Sequence, residues 1–441
     1  MYQTGIQWVT NYINSKNFII PISNLYHLDI NSDAEKLKYQ QKRYREAIDR
    51  FTELFGEKKD IFLISSPGRT EIGGNHTDHN NGLVFSGAVD LDVLVVASKR
   101  DDNIVNIYSD QFQKKFWLSA GDLDKRDNEA GTSTSLIRGI LKGIKDRDFK
   151  VGGFDAYLTS DIPEGSGLSS SAAFEVAVTE TLNQLYNNGK INKTEIAKIS
   201  RYAENVYFEK PCGLMDQLTS CYGGLLQIDF RDIDNPEIKK VNYDFSKIDY
   251  MLCVVNTGSS HSNLTDEYSS ITKDMKSIAN YFNLQSCRGI NYTDFINKLP
   301  ELRKLCGDRA VLRAFHFLNE NRRVIEQVKA LENEDFQHFI ELFQESGNSS
   351  FKWLQNIYSC KDVEHQGITI ALSIAENIYP RAAFARVHGG GFAGTIQIFV
   401  KKNAYRDLSN SYRSIFGENS IYSIKIRNTG SILINSFLKS L

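Results

Sequence analysis

Residues 159–173 read Thr159-Ser160-Asp161-Ile162-Pro163-Glu164-Gly165-Ser166-Gly167-Leu168-Ser169-Ser170-Ser171-Ala172-Ala173, a glycine turn between two elements of different period. Before it, Phe154 to Thr159 has the pattern of a strand. After it, Phe174, Val178, Leu182 and Leu185 fall on one helical face. Gly165 and Gly167 let the backbone approach a ligand closely, and the helix start offers unpaired N–H groups and a positive dipole end to phosphate oxygens. Ser170 and Ser171 stand where hydroxyls reach a phosphate-bound Mg²⁺ in other phosphate loops. A plain glycine turn with a serine N-cap explains the Gly-x-Gly spacing equally well. The stretch is not a P-loop, since no Gly-Lys-Ser/Thr follows, and it lacks the third glycine of a dinucleotide fingerprint.

Outward from this turn the chain mixes strands and helices. Residues 34–55 form an amphipathic charged helix ahead of a strand at Ile61 to Ile64, and Val84 to Ala97 and Ile104 to Tyr108 are further strands. On the other side, a helix bearing Ile196, Ile199, Ala203 and Val206 begins at Asn192, an N-cap with Glu195 three residues later. The polar stretch Asp232-Ile233-Asp234-Asn235-Pro236 reads as a lobe connection, dividing the chain into residues 1–235 and 236–441. The second lobe starts with a strand at Met251 to Val255 and runs through long charged helices to residue 378. Strands Ala383 to Val387 and Thr395 to Val400, a helix and a final strand pair follow. This order predicts a two-lobed α+β fold, not the regular alternation of a doubly wound sheet.

With 52 Lys+Arg against 54 Asp+Glu in 441 residues, the net charge of -2 gives no electrostatic footprint for nucleic acid or an anionic membrane, which points to a small-molecule partner. The six cysteines form no CxxC pair and read as reduced thiols. Residues 1–17 have neither a basic n-region nor a long apolar core, and Asp90 and Asp92 break the most apolar run, so a cytoplasmic enzyme is expected.

Three other segments carry chemistry. Ser66-Pro67-Gly68-Arg69-Thr70-Glu71-Ile72-Gly73-Gly74-Asn75-His76-Thr77-Asp78-His79-Asn80-Asn81-Gly82 is read as a loop packed with donors and acceptors after a strand. Arg69, Asn75, His76 and Asp78 suit the many hydrogen bonds of a sugar. A metal site of His76, Asp78 and His79, or a bland hydrated loop, are the competing readings. Pro211-Cys212-Gly213-Leu214-Met215-Asp216-Gln217 enters a helix, with Glu204 on the helix before it. An acid in a first turn is stabilised by the dipole whatever its role, yet one carboxylate for Mg²⁺ and one for an acceptor hydroxyl is the minimal equipment of phosphoryl transfer. Last, His388-Gly389-Gly390-Gly391-Phe392-Ala393-Gly394 lies between two strands, and its glycines suit a loop approached closely by a ligand or by another loop.

These four segments, in this order, resemble the galactokinase branch of the GHMP kinases from about residue 20 onward. The resemblance implies a fold with ATP and a galactose-like sugar in the cleft between lobes, and transfer of a phosphoryl group to the anomeric hydroxyl. It assigns Asp216 as catalytic carboxylate with Arg69 as its neighbour, which keeps the carboxylate charged. It assigns Gly165, Ser166, Gly167, Leu168, Ser169, Ser170 and Ser171 to the phosphates, and Ser171 and Glu204 to Mg²⁺. Asn75, His76, Asp78, Gly213 and Tyr268 match its sugar contacts.

This chain departs from the family pattern in places. Where the family usually has Ile-Gly-Glu-His, this chain has Gly73-Gly74-Asn75-His76, so a carboxylate that meets the sugar's C6 hydroxyl is an amide here. Galacturonate therefore stands beside galactose as a candidate substrate, with galactose favoured because no Arg or Lys has entered the sugar loop to pair a carboxylate. Ser269-Ser270-Ile271 replace the arginines usual after Tyr268, and His388 and Ala393 stand where Thr and Gly are commoner. Non-catalytic galactose sensors of this fold have a damaged phosphate loop, whereas Ser169-Ser170-Ser171-Ala172 is intact. A metal hydrolase leaves the glycine loops unexplained.

Overall fold

Strand β1 runs Phe62–Gly73, well past the expected Ile61 to Ile64, because Ser66 to Glu71 stays extended and pairs antiparallel with β2 (Leu83–Lys99). In the computed structural model, which describes residues 5–258, 264–392 and 394–437, this pair is the spine of the first lobe. Its register shifts between Pro67 and Arg69 and again between Glu71 and Gly73. Bulges re-aim side chains and tolerate a proline without a donor. Between them Arg69, Thr70 and Glu71 stay in regular register opposite Ala88, Gly87 and Ser86.

The other strands are arranged around β2. On its second edge, β5 (Phe154–Ser160) lies beside one half and β6 (Leu225–Asp229) beside the other. β3 (Ile104–Ser109) runs parallel to β5 and pairs with β4 (Lys114–Ser119), while β7 (Glu237–Val241) pairs with β6. Alternation along β2 sorts the two faces. Val93, Val95 and Ala97 join the core under helices Ser133–Lys145 and Ser170–Asn187. Leu94 and Val96 join a second core, closed by N-terminal helices that include Ala34–Phe55. Asp92, which interrupts the apolar run, is fully buried and carries Arg43 (2.6 Å), Arg427 (3.0 Å) and the Tyr26 hydroxyl (2.7 Å).

A smaller antiparallel sheet has the order β11 (Ile421–Ile424), β8 (Tyr250–Asn256), β10 (Thr395–Lys401), β9 (Ala383–His388). Helices Gly367–Ile378 and Tyr405–Phe416 cover one face. On the other, Phe399 packs with Phe336, Phe339 and Phe343, in a core continuous with that of the first lobe. The two-lobed α+β architecture is thus the expected one.

Two local expectations change. Asp232–Pro236 is not a lobe connection but the turn of the β6–β7 hairpin, so a division at 235/236 cuts the larger sheet. Asp232 Oδ1 accepts from the Asp234 and Asn235 N–H groups at 2.9 and 3.2 Å, a turn whose polar composition is that of a linker too. The last two strands do not pair: β11 joins the smaller sheet, and β12 (Ile432–Leu433) returns to β1. Ala393, read as a departure in the glycine loop, lies outside the described residues. Among the described residues no helix is long and apolar enough to cross a membrane.

Candidate active site

The turn at 159–173 forms as its sequence predicts, with Gly165 and Gly167 at φ +67° and +69° and a helix starting at Ser170. Ser169 holds the N-cap position but has left-handed backbone and makes no side-chain cap. Its hydroxyl donates to Asp216 Oδ2 instead. The first turn thus keeps backbone donors for an incoming anion, which a self-capped helix does not. Ser170 and Ser171 lie in that turn, whereas Leu168 is core and the Ser166 hydroxyl is spent on the Pro163 carbonyl at 2.6 Å. Gly167 meets the second lobe: a Cβ there lies 2.5 Å from Thr395 Oγ1 and 3.0 Å from His388 Nδ1.

Asp216 stands in the first turn of helix Met215–Tyr222, where the dipole favours an anion. Arg69 grips it with both prongs, Nε to Oδ1 at 2.6 Å and Nη2 to Oδ2 at 2.7 Å. Its remaining nitrogen, Nη1, donates to the Gly167 carbonyl at 2.6 Å, and the Arg69 N–H to the Leu168 carbonyl at 3.0 Å. A bidentate arginine fixes a carboxylate's direction as well as its charge. Arg69 therefore holds carboxylate and phosphate turn in one frame.

Glu204 lies in a π turn, Ala203–Tyr207, that ends helix Lys193–Tyr202. Ser171 Oγ reaches its Oε1 at 3.5 Å, and Lys210 Nζ holds the same oxygen at 3.0 Å. Gln217 Nε2 bridges Glu204 Oε2 (3.0 Å) and Glu175 Oε2 (3.2 Å). Burial, and after it the Glu204 charge, pushes the Glu175 carboxyl well above its usual range. Sequence reading missed both Glu175 and Lys210. An acid inside the apolar run Ala172-Ala173-Phe174-Glu175-Val176-Ala177 was the available signal for the first.

Asp78, His79, His76 and the glycine loop form one chain of hydrogen bonds. His79 Nδ1 is 2.7 Å from Asp78 Oδ1, His79 Nε2 is 3.4 Å from His76 Nδ1, and His76 Nε2 is 2.8 Å from the Gly390 carbonyl. A carbonyl only accepts, so His76 carries its proton on Nε2 and accepts on Nδ1. Burial, then the His79 charge, brings His76 down to about 3, which keeps it neutral. Burial also pulls His79 down, but Asp78 outweighs it and leaves the pKa raised. Gly213 permits the approach of Asp78: a Cβ there meets Asp78 Oδ2 at 1.7 Å. The Tyr268 hydroxyl donates to the Gly391 carbonyl at 3.1 Å, and its ring stacks on His76 at 6.2 Å.

The structure thus brings Arg69, Asp216, Gly213, Asp78, His76 and Tyr268 together. Asn75 is placed differently from the expectation. Its side chain is fully buried between lobes, with its hydrogen bonds taken by Glu71, Gly389, Asn356 and Ser350. The metal reading of His76, Asp78 and His79 also fails, since the three groups bond one another in series. Among the described residues no cluster of three or more His, Cys, Asp or Glu is arranged to hold a metal.

Residues 135–224 match the GHMP kinases N terminal domain, and residues 49–99 match the galactokinase galactose-binding signature. A galactokinase of Glaesserella parasuis is 32% identical over 362 residues, spanning 81% of this chain and 88% of that relative. One from Clostridium tetani is 30% identical over 377 residues, spanning 83% and 92%. Among solved structures, Lactococcus lactis galactokinase complexed with galactose superposes with a TM-score of 0.75 at 24% identity, covering 87% of this chain and 98% of that one. Methanococcus jannaschii mevalonate kinase gives 0.59 at 16%, covering 84% and 99%. On its identity to curated relatives over most of its length, the chain belongs to the galactokinase family of the GHMP kinases.

Proposed function

We propose that this protein transfers the γ-phosphoryl group of ATP to the anomeric hydroxyl of galactose, giving galactose 1-phosphate. The carrying observation is the bidentate Arg69–Asp216 pair set against the phosphate turn through Gly167 and Ser169. Phosphoryl transfer needs little covalent help from a protein and much positioning, so a carboxylate locked beside an anion-binding helix end is the key arrangement. Asp216 orients the sugar's C1 hydroxyl and takes its proton as the new O–P bond forms and the bond to the leaving ADP breaks. The turn's N–H groups hold phosphate oxygens meanwhile.

Ser171 Oγ and Glu204 Oε1 are hard oxygen donors of the kind magnesium takes together with phosphate oxygens. The Lys210 ammonium on that same carboxylate oxygen marks a position that already favours a cation. These two residues would hold the ion, which supplies neutralisation of phosphate charge. The larger sheet with the phosphate turn forms one wall of the cleft, and the glycine loop with Tyr268 forms the other. The test is ADP release by purified protein on addition of galactose, with Asp216→Asn as control. Galactose-dependent release lost in the variant supports the reading, and release that needs no sugar contradicts it.

A further inference from the structure

Asn75 has no hydrogen-bonding capacity left. Its Nδ2 donates to Glu71 Oε1 at 2.9 Å and to the Gly389 carbonyl at 2.6 Å. Its Oδ1 accepts from Asn356 Nδ2 at 2.8 Å and Ser350 Oγ at 3.3 Å. Two donated and two accepted bonds are all that a primary amide can make. A side chain so committed binds lobe to lobe and has nothing to offer a sugar.

Glu71 is also buried and also meets the second lobe, through Arg386, but its side chain is not fully committed. It sits in register two residues from Arg69 between the bulges of β1, so both side chains leave the same face of the strand. Arg69 spends that direction on Asp216, which fixes the face as the cleft side. Asn75 Nδ2, which donates to Glu71 Oε1, also donates to the Gly389 carbonyl, and His76 Nε2 lies 2.8 Å from the next carbonyl, Gly390, so Glu71 lies along the same glycine loop as the His76–His79–Asp78 chain. Its Oε1 accepts from Asn75 and from Arg386 Nη2 at 2.7 Å, while Oε2 takes no hydrogen bond from the described residues. Arg386 is fully buried, with Nη2 on Oε1, and burial keeps its Nε and Nη1, which have no hydrogen-bond partner among the described residues, from an acidic substrate group.

We propose that Glu71 Oε2 accepts a hydroxyl of the sugar, and that Asn75 and Arg386 position it from behind. This rests on the sugar kinase reading and narrows its substrate class. A carboxylate oxygen accepts from a neutral sugar's hydroxyl but has no proton to offer a uronate carboxylate, so a uronic acid would set two acceptors against each other there. The selecting carboxylate thus stands four positions before Asn75, where the resemblance places one.

The experiment is a cycle of variant against substrate: galactose, the series of monodeoxygalactoses and galacturonate, each with wild type and Glu71→Gln. For galactose, Glu71→Gln raises KM at least about tenfold while kcat stays within about threefold, the pattern of lost uniform binding. One monodeoxygalactose is already poor with wild type and suffers no further loss with Glu71→Gln, because the pair is broken from the sugar side. A purely structural role weakens all the sugars alike and overturns the proposal, as does an unchanged KM or a wild type that prefers galacturonate. If Glu71→Gln does not fold, Glu71→Asp keeps the charge toward Arg386 and withdraws the acceptor, and the same cycle decides. A wild type that turns over no hexose defeats the kinase reading and the Glu71 assignment with it, whereas galactose turnover without the deoxysugar signature defeats only the latter.

Discussion

Arg69 meets Asp216 through two parallel hydrogen bonds of 2.6 and 2.7 Å and, through its third nitrogen, the Gly167 carbonyl. The carboxylate's direction is therefore set by the strand that also anchors the phosphate turn. Asp216→Asn keeps the size of the side chain but loses proton-accepting power and one bidentate partner. A kcat drop of at least about 10²-fold is expected, with nucleotide affinity largely kept, as for other positioned proton acceptors. Steady-state kinetics and calorimetric nucleotide titration check it.

Gly165 and Gly167 share a positive φ but not their surroundings. A Cβ at Gly165 has Asn256 Nδ2 at 3.4 Å, whereas one at Gly167 has Thr395 Oγ1 at 2.5 Å. Gly165→Ala should cost only the left-handed backbone, about 1–2 kcal/mol. Gly167→Ala should cost more and also weaken MgATP binding, by pushing the turn away from β10. Comparing the two variants by thermal melting and nucleotide titration separates backbone strain from lobe contact.

The phosphate turn and the Asn192 cap, whose Oδ1 accepts from the Glu195 N–H at 2.9 Å, were legible because their determinants lie within a few residues. The path of β1 was not. Pro67, Gly68 and the polar Arg69 and Glu71 look like a loop until bulges are allowed and the polar side chains are seen to face a cleft. Asn75 was illegible for another reason: Ser350, Asn356 and Gly389 lie 275, 281 and 314 residues away. No local pattern announces such partners. The β6–β7 turn misled because a hairpin and a linker use the same residues.

Asp92 links the sheet to both chain ends through Arg43 and Arg427, and all three are buried. Removing one partner of a buried ion pair leaves an uncompensated charge, which costs about 3–5 kcal/mol. Asp92→Ala should therefore lower the urea midpoint sharply or prevent soluble expression, while an exposed control such as Glu35→Ala should not. A midpoint close to wild type for Asp92→Ala contradicts this account of the cluster.

Three buried histidines favour the neutral form in the fold. Burial holds His76 at about 3 and also lowers His316 and His388. The unfolded chain protonates each near pH 6.5 and the folded chain does not, so their contribution is complete above that pH and is lost as pH falls below it. His79 has the opposite sign: with its pKa raised by Asp78 against burial, its pair stabilises below the unfolded pKa and fades as pH climbs through the folded one. Burial raises the Asp90 carboxyl to about 6 and the Glu175 carboxyl well above its usual range, and these act in the opposite sense, because the folded chain takes their protons before the unfolded one does. The histidine contribution is therefore read by difference: His316→Gln should lose less melting temperature than wild type between about pH 7 and about pH 5, and an equal loss in both contradicts the assigned neutral state.

Sugar-dependent ADP release across a panel of hexoses and uronic acids decides whether the Arg69–Asp216 site phosphorylates a sugar. Turnover is expected with galactose, with loss in Asp216→Asn and little or none with galacturonate. Galacturonate preferred by about tenfold or more, worth about 1.4 kcal/mol in transition-state binding, contradicts the substrate assignment. The absence of hexose-dependent release from a folded, nucleotide-binding protein contradicts the kinase itself.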